Sequence, residues 1–500
     1  MDDKKLKPTK QQQAFIDALL NTTCHLALVA RAGTGKTSTI LMGVTALAKA
    51  FPGLEILVCA YNKAIADEVS ARLIALGHTN WKKISASTIH SMGFGLLKWL
   101  FKPKVDDKKV KLLVESHNEN IYHQYGAQII SLVKMAKQAG FGFFSDLAIS
   151  DTAAWHALAD HFDINGLDDT SEADAVVEAA QIIYRASLDQ TAVIDFDDMI
   201  LMPLIKNLRV KFTKDVIFLD EAQDLSRARQ ALARKFLARD GRLIIVGDDR
   251  QAIYGFSGAD AAALDNLTKM MGATTIPLSV TWRCPKEVVK LAQTLVPDIE
   301  AAPSAAEGEV IKIATLPEDL NSTDAILCRN TAPLIALAYE LIRDGKPCKV
   351  EGRSIGEGLK TLATRWKIKS IDMLLRRLSA YEERERQKAL AKGNEAKAEQ
   401  VEDVVNTLTE ICKACTKADK HNITDVVDFI DDLFADGAKN VTILATYHRS
   451  KGREWPRVIL LEHNQRCPSK AARQQWQITQ EHNLAYVAFT RAQETLAFLN

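Results

Sequence analysis

Apolar positions along this chain come in short unbroken runs rather than in alternation. "HLALVARAG" (25–33), "EILVCAYN" (55–62), "DVIFLDEAQD" (215–224), "RLIIVGDD" (242–249) and "VTILATYH" (441–448) each read as a strand with both faces covered. Between them lie stretches with helical spacing of apolar residues. Strands of this kind alternating with helices predict an α/β fold with parallel sheets. In such sheets ligands sit at the carboxyl ends of the strands, which here run into polar and glycine-containing turns. Two long stretches lack these runs: roughly 96–190 and roughly 360–438 read as helical insertions, the second carrying the charged, solvated "AYEERERQKALAKGNEAKAEQVEDVV". The segment "PDIEAAPSAAEGE" (297–309) reads as a surface connection near the start of a second α/β unit.

With 500 residues, 47% of them apolar, the chain is too long for one core and predicts two to four domains. A balance of 64 basic against 63 acidic residues points to no partner by bulk charge. The eight scattered cysteines make no disulfide framework. The first residues, "MDDKKLKPTKQQQ", lack an apolar signal region, and no apolar run approaches a bilayer span. The expectation is a soluble, cytoplasmic protein with no membrane partner. Cys412 and Cys415 in "CKAC", with His421 nearby, have metal-like spacing, but no second pair matches them and the flanking pattern is an amphipathic helix. Two thiols on a helix is the expected outcome.

The chemistry begins at "LALVARAGTGKTSTI" (26–40). Gly33 and Gly35 let the backbone turn its N–H groups inward, Lys36 can reach the β/γ-phosphates, Thr37 can hold Mg2+, and a helix start follows. Ala30 replaces the first glycine of the usual G-x-x-x-x-G-K-T, and Arg31 follows it. Downstream, a buried strand ends in Asp220 and Glu221, where a phosphohydrolase needs one carboxylate for Mg2+ and another to orient and deprotonate water. The transferring phosphoryl also requires cations; Arg283 and Arg491 are candidates.

At this point eight collinear motifs bear on identity. "ARAGTGKT" (30–37), "AYNKAIADE" (60–68), "STIHSMG" (87–93), "DEAQD" (220–224), "VGDDRQAIYGFSGA" (246–259), "LSVTWRCP" (278–285), "ATYHRSKGREW" (445–455) and "EHNLAYVAFTRA" (481–492) resemble the motifs of the UvrD/Rep branch of superfamily 1 helicases. That family's loop begins with alanine, so Ala30 is its own form, while Arg31 departs from a usual glycine and is expected to face outward. The resemblance implies two RecA-like parallel-sheet domains, each with a mainly helical insertion: 1–95 with 191–275, interrupted by 96–190, and 276–359 with 439–500, interrupted by a shortened 360–438.

It further implies ATP held in a cleft between those domains by Ala32, Gly33, Thr34, Gly35, Lys36, Thr37 and Ser38, with Mg2+ on Thr37 and Asp220. Lys36, Glu221, Gln251, Arg283 and Arg491 are the catalytic residues, Gln251 sensing the γ-phosphate. Trp282 stands where the family stacks a tyrosine on adenine, Gln11 resembles the glutamine that reads the adenine edge with Gln12 as rival, and Glu454 matches a nucleotide contact. Single-stranded DNA is expected on Tyr61, Asn62, Thr88, His90, Tyr254, Phe256, His448 and Lys451, with a structural hydrogen-bonding role as the alternative for both histidines. Ser257 replaces a common arginine. The implied activity is 3′ to 5′ translocation with unwinding at single-strand/duplex junctions, alongside replication or repair proteins; the alternative is a DNA-stimulated ATPase subunit that does not unwind alone. With the sequence ending soon after the last motif, a compact motor is expected.

Overall fold

The computed structural model describes residues 7–80, 82–117, 119–162, 164, 170–255, 258, 262–391, 395–434 and 440–500. They fall into two compact units, Met1–Ser279 and Val280–Asn500.

In the first unit the strands are β1 (Leu26–Ala30), β2 (Ile56–Ala60), β3 (Ile84–Thr88), β4 (Lys104–Val105), β5 (Val193–Ile194), β6 (Lys214–Leu219), β7 (Leu237–Gly247) and β8 (Thr274–Leu278). Six of them form one parallel sheet in the order β3-β2-β6-β7-β1-β8. β2 is buried along its whole length and β6 in its last four residues, because helices cover both faces, as continuous Ile/Leu/Val/Phe runs require. The edge strand β3, "ISAST", is half-buried except at Thr88.

Residues between β3 and β6 are mainly helical, with helices Ile89–Phe101, Lys109–His117, Glu119–Ala139, Thr152–His161 and Thr170–Asp189. Trp155 anchors them, its ring 4.8 Å from Phe141 and 5.4 Å from Tyr184 by centroid. A two-residue pairing of β4 with β5 closes the segment, a feature that no apolar run foretells. Below it lies a buried ion cluster: Lys137 Nζ donates to Asp195 Oδ2 (2.6 Å) and Asp198 Oδ1 (2.7 Å), and Lys109 Nζ to Asp198 Oδ2 (2.6 Å). Such charges are tolerable only when fully paired, so the cluster fixes one arrangement of these helices on the helix Phe196–Ile205.

Helices Ile89–Phe101 and Phe196–Ile205 cross at Gly93, where an added Cβ would lie 1.8 Å from the carbonyl oxygen of Met199. Gly93→Ala is therefore expected to cost about 2–3 kcal/mol by forcing the backbones apart. Urea unfolding checks this; an unchanged midpoint would contradict the close crossing.

The second unit contains β9 (Val280–Thr281), β10 (Glu300–Ala301), β11 (Glu309–Ile313), β12 (Asp324–Cys328), β13 (Cys348–Val350), β14 (Thr442–Thr446), β15 (Trp455–Leu461) and β16 (Ala492–Leu499). Its main sheet is again six parallel strands, in the order β11-β16-β15-β12-β14-β13, with β9 and β10 as a separate parallel pair. The five apolar runs of the sequence are β1, β2, β6, β7 and β14, and the α/β class with two parallel sheets holds.

Between β13 and β14 stand helices Arg353–Thr364, Ile371–Ala391, Glu395–Lys417 and Ile423–Leu433. Cys412 and Cys415 lie buried on the third of these, and burial pushes their thiols up to about 12 and about 11. His421 is exposed, and among the described residues no group of three or more metal-binding side chains occurs. The pair is core packing. Also among the described residues, no helix is long and apolar enough to cross a membrane.

Candidate functional site

β1 delivers the phosphate-loop motif at its carboxyl end, flanked by β7 and β8. Arg31 N donates to Leu278 O (2.9 Å), while Thr34 N and Oγ1 return to Arg31 O (3.3 and 2.8 Å), which closes the loop. Gly33 and Gly35 have φ of 72° and 83°, values that favour glycine. The helix Lys36–Ala50 starts directly after them with no side-chain cap, so its first amides are left for an anion. Ala32 and Thr34 are buried under the turn, and Thr37 and Ser38 lie half-buried in the first helical turn, Ser38 accepting from Arg72 (3.3 Å).

The two glutamines separate cleanly. Gln12 is buried, completes a capping box with Thr9 and donates to Thr39 Oγ1 (3.0 Å). Gln11 is half-buried and pairs with Ser279, donating to its Oγ (2.8 Å) and accepting from its N (3.0 Å), beside the strand end that receives Arg31. Gln12 is thus committed to the helix ends, and Gln11 to the mouth of the loop.

β6 ends at Leu219 and the chain turns sharply, Glu221 adopting φ 51°. This left-handed turn brings the Glu221 carboxylate onto Lys36, whose Nζ donates to Oε1 at 2.8 Å. Burial alone would discharge that lysine, but Glu221, Asp220 and Asp248 outweigh it and hold its pKa above the ordinary value. Gln223 donates to the other oxygen of Glu221 and accepts at Oε1 from Asp248 N (3.0 Å). Asp248 Oδ2 in turn accepts from Gln251 Nε2 (2.7 Å). Lys36, Glu221, Gln223, Asp248 and Gln251 therefore form one hydrogen-bonded chain. Asp220 is buried and its Oδ1 accepts from Glu221 N (2.9 Å).

Two residues here escape sequence reasoning. Gln223 carries the middle of the chain, and the signal for it is Gly247, where a Cβ would sit 2.4 Å from Gln223 Oε1. Arg31 is the other, and the expectation of an outward side chain is wrong. It is buried, and Nη1 donates to Asp248 Oδ1 (2.8 Å) and Asp249 Oδ1 (2.6 Å), because the paired carboxylates that follow β7 draw the guanidinium inward. Burial pushes the Asp248 carboxyl above the usual range, with Arg31 and Lys36 opposing.

The donors suit Mg2+ rather than a transition metal. Asp220, whose charge acts on Lys36, and Thr37, the next residue along the chain, offer hard oxygens, and Mg2+ is commonly held by one or two protein oxygens together with phosphates and water.

In the second unit Arg283 lies between Glu454 and the carbonyl of Thr490, its Nε donating to Glu454 and its Nη1 to Thr490 O (3.3 Å). Gln493 donates to the other Glu454 oxygen (2.9 Å). Arg491 is fully buried: Nε donates to Val487 O (2.8 Å), Nη1 to Arg453 O (3.0 Å) and Nη2 to Thr490 Oγ1 (3.0 Å). Burial, then the charge of Arg283, lowers its pKa to about 9. Trp282 is 54% exposed, an open indole next to Arg283.

The residues expected on DNA divide by role. Tyr61 and Tyr254, both half-buried, stack with ring centroids 6.0 Å apart and planes 10° from parallel. Asn62 and Thr88 are helix N-caps, accepting from Ile65 N and Ser91 N. His90 meets Phe196 edge-on, and burial lowers its pKa to about 4. His448, half-buried, is lowered to about 3 by burial and then by Arg329, with Arg449 and Lys451 adding to the effect. Burial therefore favours the neutral imidazole at both positions. Lys451 is half-buried at the end of the short helix Tyr447–Ser450. Phe256 and Ser257 lie outside the described residues.

Residues 9–272, more than half of the chain, match the model of the UvrD/REP helicase N-terminal domain. The chain is 26% identical over 356 residues to DNA helicase II of Rickettsia typhi, covering 65% of this chain and 52% of that protein. It is 24% identical over 314 residues to ATP-dependent DNA helicase Rep of Escherichia coli, 58% and 43% respectively. F-box DNA helicase 1 of Gallus gallus is 27% identical over 265 residues, 51% of this chain and 24% of that one. The chain thus spans about half or less of the length of these relatives.

Proposed function

Because the chain belongs to the UvrD/Rep helicase family, we propose that it is an ATP-dependent DNA helicase that moves 3′ to 5′ along single-stranded DNA and opens the duplex ahead. The observation that supports this most is the hydrogen-bonded chain from Lys36 through Glu221, Gln223 and Asp248 to Gln251, at the carboxyl ends of β1, β6 and β7. In this proposal ATP replaces Glu221 as the partner of Lys36. The triphosphate takes the ammonium, and the freed carboxylate turns to the attacking water as general base. Asp220 and Thr37 would hold Mg2+, which would supply neutralisation of the phosphate charge. Gln251 reports the γ-phosphate to Tyr254, three residues on, whose ring stacks on Tyr61. Hydrolysis is thereby tied to the surface on which bases stack.

Gln11 is assigned to the adenine; in the second unit Trp282, Arg283, Glu454 and Arg491 carry the nucleotide roles that the family resemblance implies. For Arg491 the role requires a change of partners, since its guanidinium is spent on Val487, Arg453 and Thr490.

ATP hydrolysis with and without single-stranded DNA, followed by a forked duplex with a 3′ tail, tests the proposal. Stimulated hydrolysis with strand displacement is expected. Stimulation without displacement favours a translocating ATPase subunit that works with a partner. Hydrolysis indifferent to DNA would overturn both.

A further inference from the structure

Arg31 is fastened on both sides. Its backbone joins β8 through Leu278 O and closes the phosphate loop through Thr34, while its guanidinium, 9% exposed, holds Asp248 and Asp249. Asp248, fully buried, is the junction of the turn beyond β7: besides Arg31, it receives Arg250 N (3.1 Å) and Gln251 Nε2 (2.7 Å), and its own N–H goes to Gln223 (3.0 Å). Without Arg31 this carboxylate loses the cation hydrogen-bonded to it and is left with the more distant Lys36; it would take up a proton or turn towards water. Either change alters the acceptor that Gln251 uses and, by loosening the turn, frees the Asp248 N–H that holds Gln223 beside Glu221.

We propose that Arg31 is a positioning residue for hydrolysis, which ties the phosphate loop to the 248–251 turn so that one contact sets both Gln251 and, through Gln223, Glu221. The proposal rests on the helicase function above. It differs from the simpler role for a cation in this loop, direct binding of the triphosphate. The two roles separate in steady-state kinetics, because a positioning contact acts on the reacting geometry and a phosphate contact acts on affinity.

The test compares wild type, Arg31→Gln and Arg31→Lys for DNA-stimulated ATP hydrolysis, and measures binding of a fluorescent ATP analogue to each. Arg31→Gln is expected to lower kcat by about 10- to 100-fold with KM for ATP and analogue affinity within about threefold of wild type. Arg31→Lys, which keeps the charge but not the fork, is expected to recover to within about tenfold of wild-type kcat. If Arg31→Gln does not fold, Asp249→Asn replaces it: this variant keeps the buried pair with Asp248 and is expected to lower kcat by about threefold at unchanged KM. A rise in KM with kcat preserved would make Arg31 a phosphate ligand and overturn the proposal. Wild-type kinetics in Arg31→Gln, or in Asp249→Asn where that variant replaces it, would do the same. A wild-type chain that fails to hydrolyse ATP would instead bring down the helicase function, and this proposal with it.

Discussion

Glu221→Gln is expected to bind ATP as tightly as wild type and to lose turnover by about 10²–10⁴-fold, the contribution of a positioned general base. The amide keeps the size of the side chain and can still accept from Lys36 and sit beside Gln223, so the turn at φ 51° has no reason to refold. What it lacks is the basic oxygen pair that takes a proton from water. Quench measurements of a single turnover, beside nucleotide binding, check the split. Turnover near wild type would remove Glu221 from the chemistry and leave it as the resting partner of Lys36.

Lys36→Ala should fail earlier. In the proposed function the ammonium binds the β/γ-phosphates, and its removal is expected to lower hydrolysis by at least about 10³-fold while weakening nucleotide affinity. Glu221 loses its counterion, but its side chain is 20% exposed and can recruit water, so the unit should stay folded. Circular dichroism with analogue titration separates lost binding from lost structure. Retained affinity together with retained hydrolysis would contradict the assignment of this loop to the triphosphate.

The contrast between what sequence discloses and what it hides follows from burial. Strands at the centre of a sheet, such as β2 "ILVCA" and β6 "KDVIFL", must be apolar on both faces and stand out as runs. Edge strands owe no such pattern. β3 "ISAST" carries hydroxyls and β11 "EVIKI" alternates with charge, so neither declares itself. Within the site, Lys36, Asp220 and Glu221 are legible because phosphate chemistry demands those groups at those turns. Gln223 and the inward face of Arg31 are not, since their partners, Asp248 and Asp249, lie more than 200 residues from the loop in the case of Arg31. Local pattern cannot say which of two charges separated by that much chain will meet. Asn62 and Thr88, expected on DNA, also cap helices, a local duty that the motifs do not announce.

The helix Glu395–Lys417 presents acids one turn apart to three different places. Glu395 pairs with Arg473; Glu399 accepts from Ser469 and from Asn330 (3.4 Å); Asp403 takes the amides of Thr331 and Ala332 (3.1 Å each), where the helix Ala332–Arg343 begins. Beneath them Leu374, Leu408 and Ile430 share one apolar core with Ile326, Leu444 and Ile459 of the sheet. A segment rooted in this way is a keystone rather than an appendage. To swing it would mean opening a close-packed core, so any force on the insertion passes directly into β12, β14 and β15, and removing the insertion would bring down the arch that it closes.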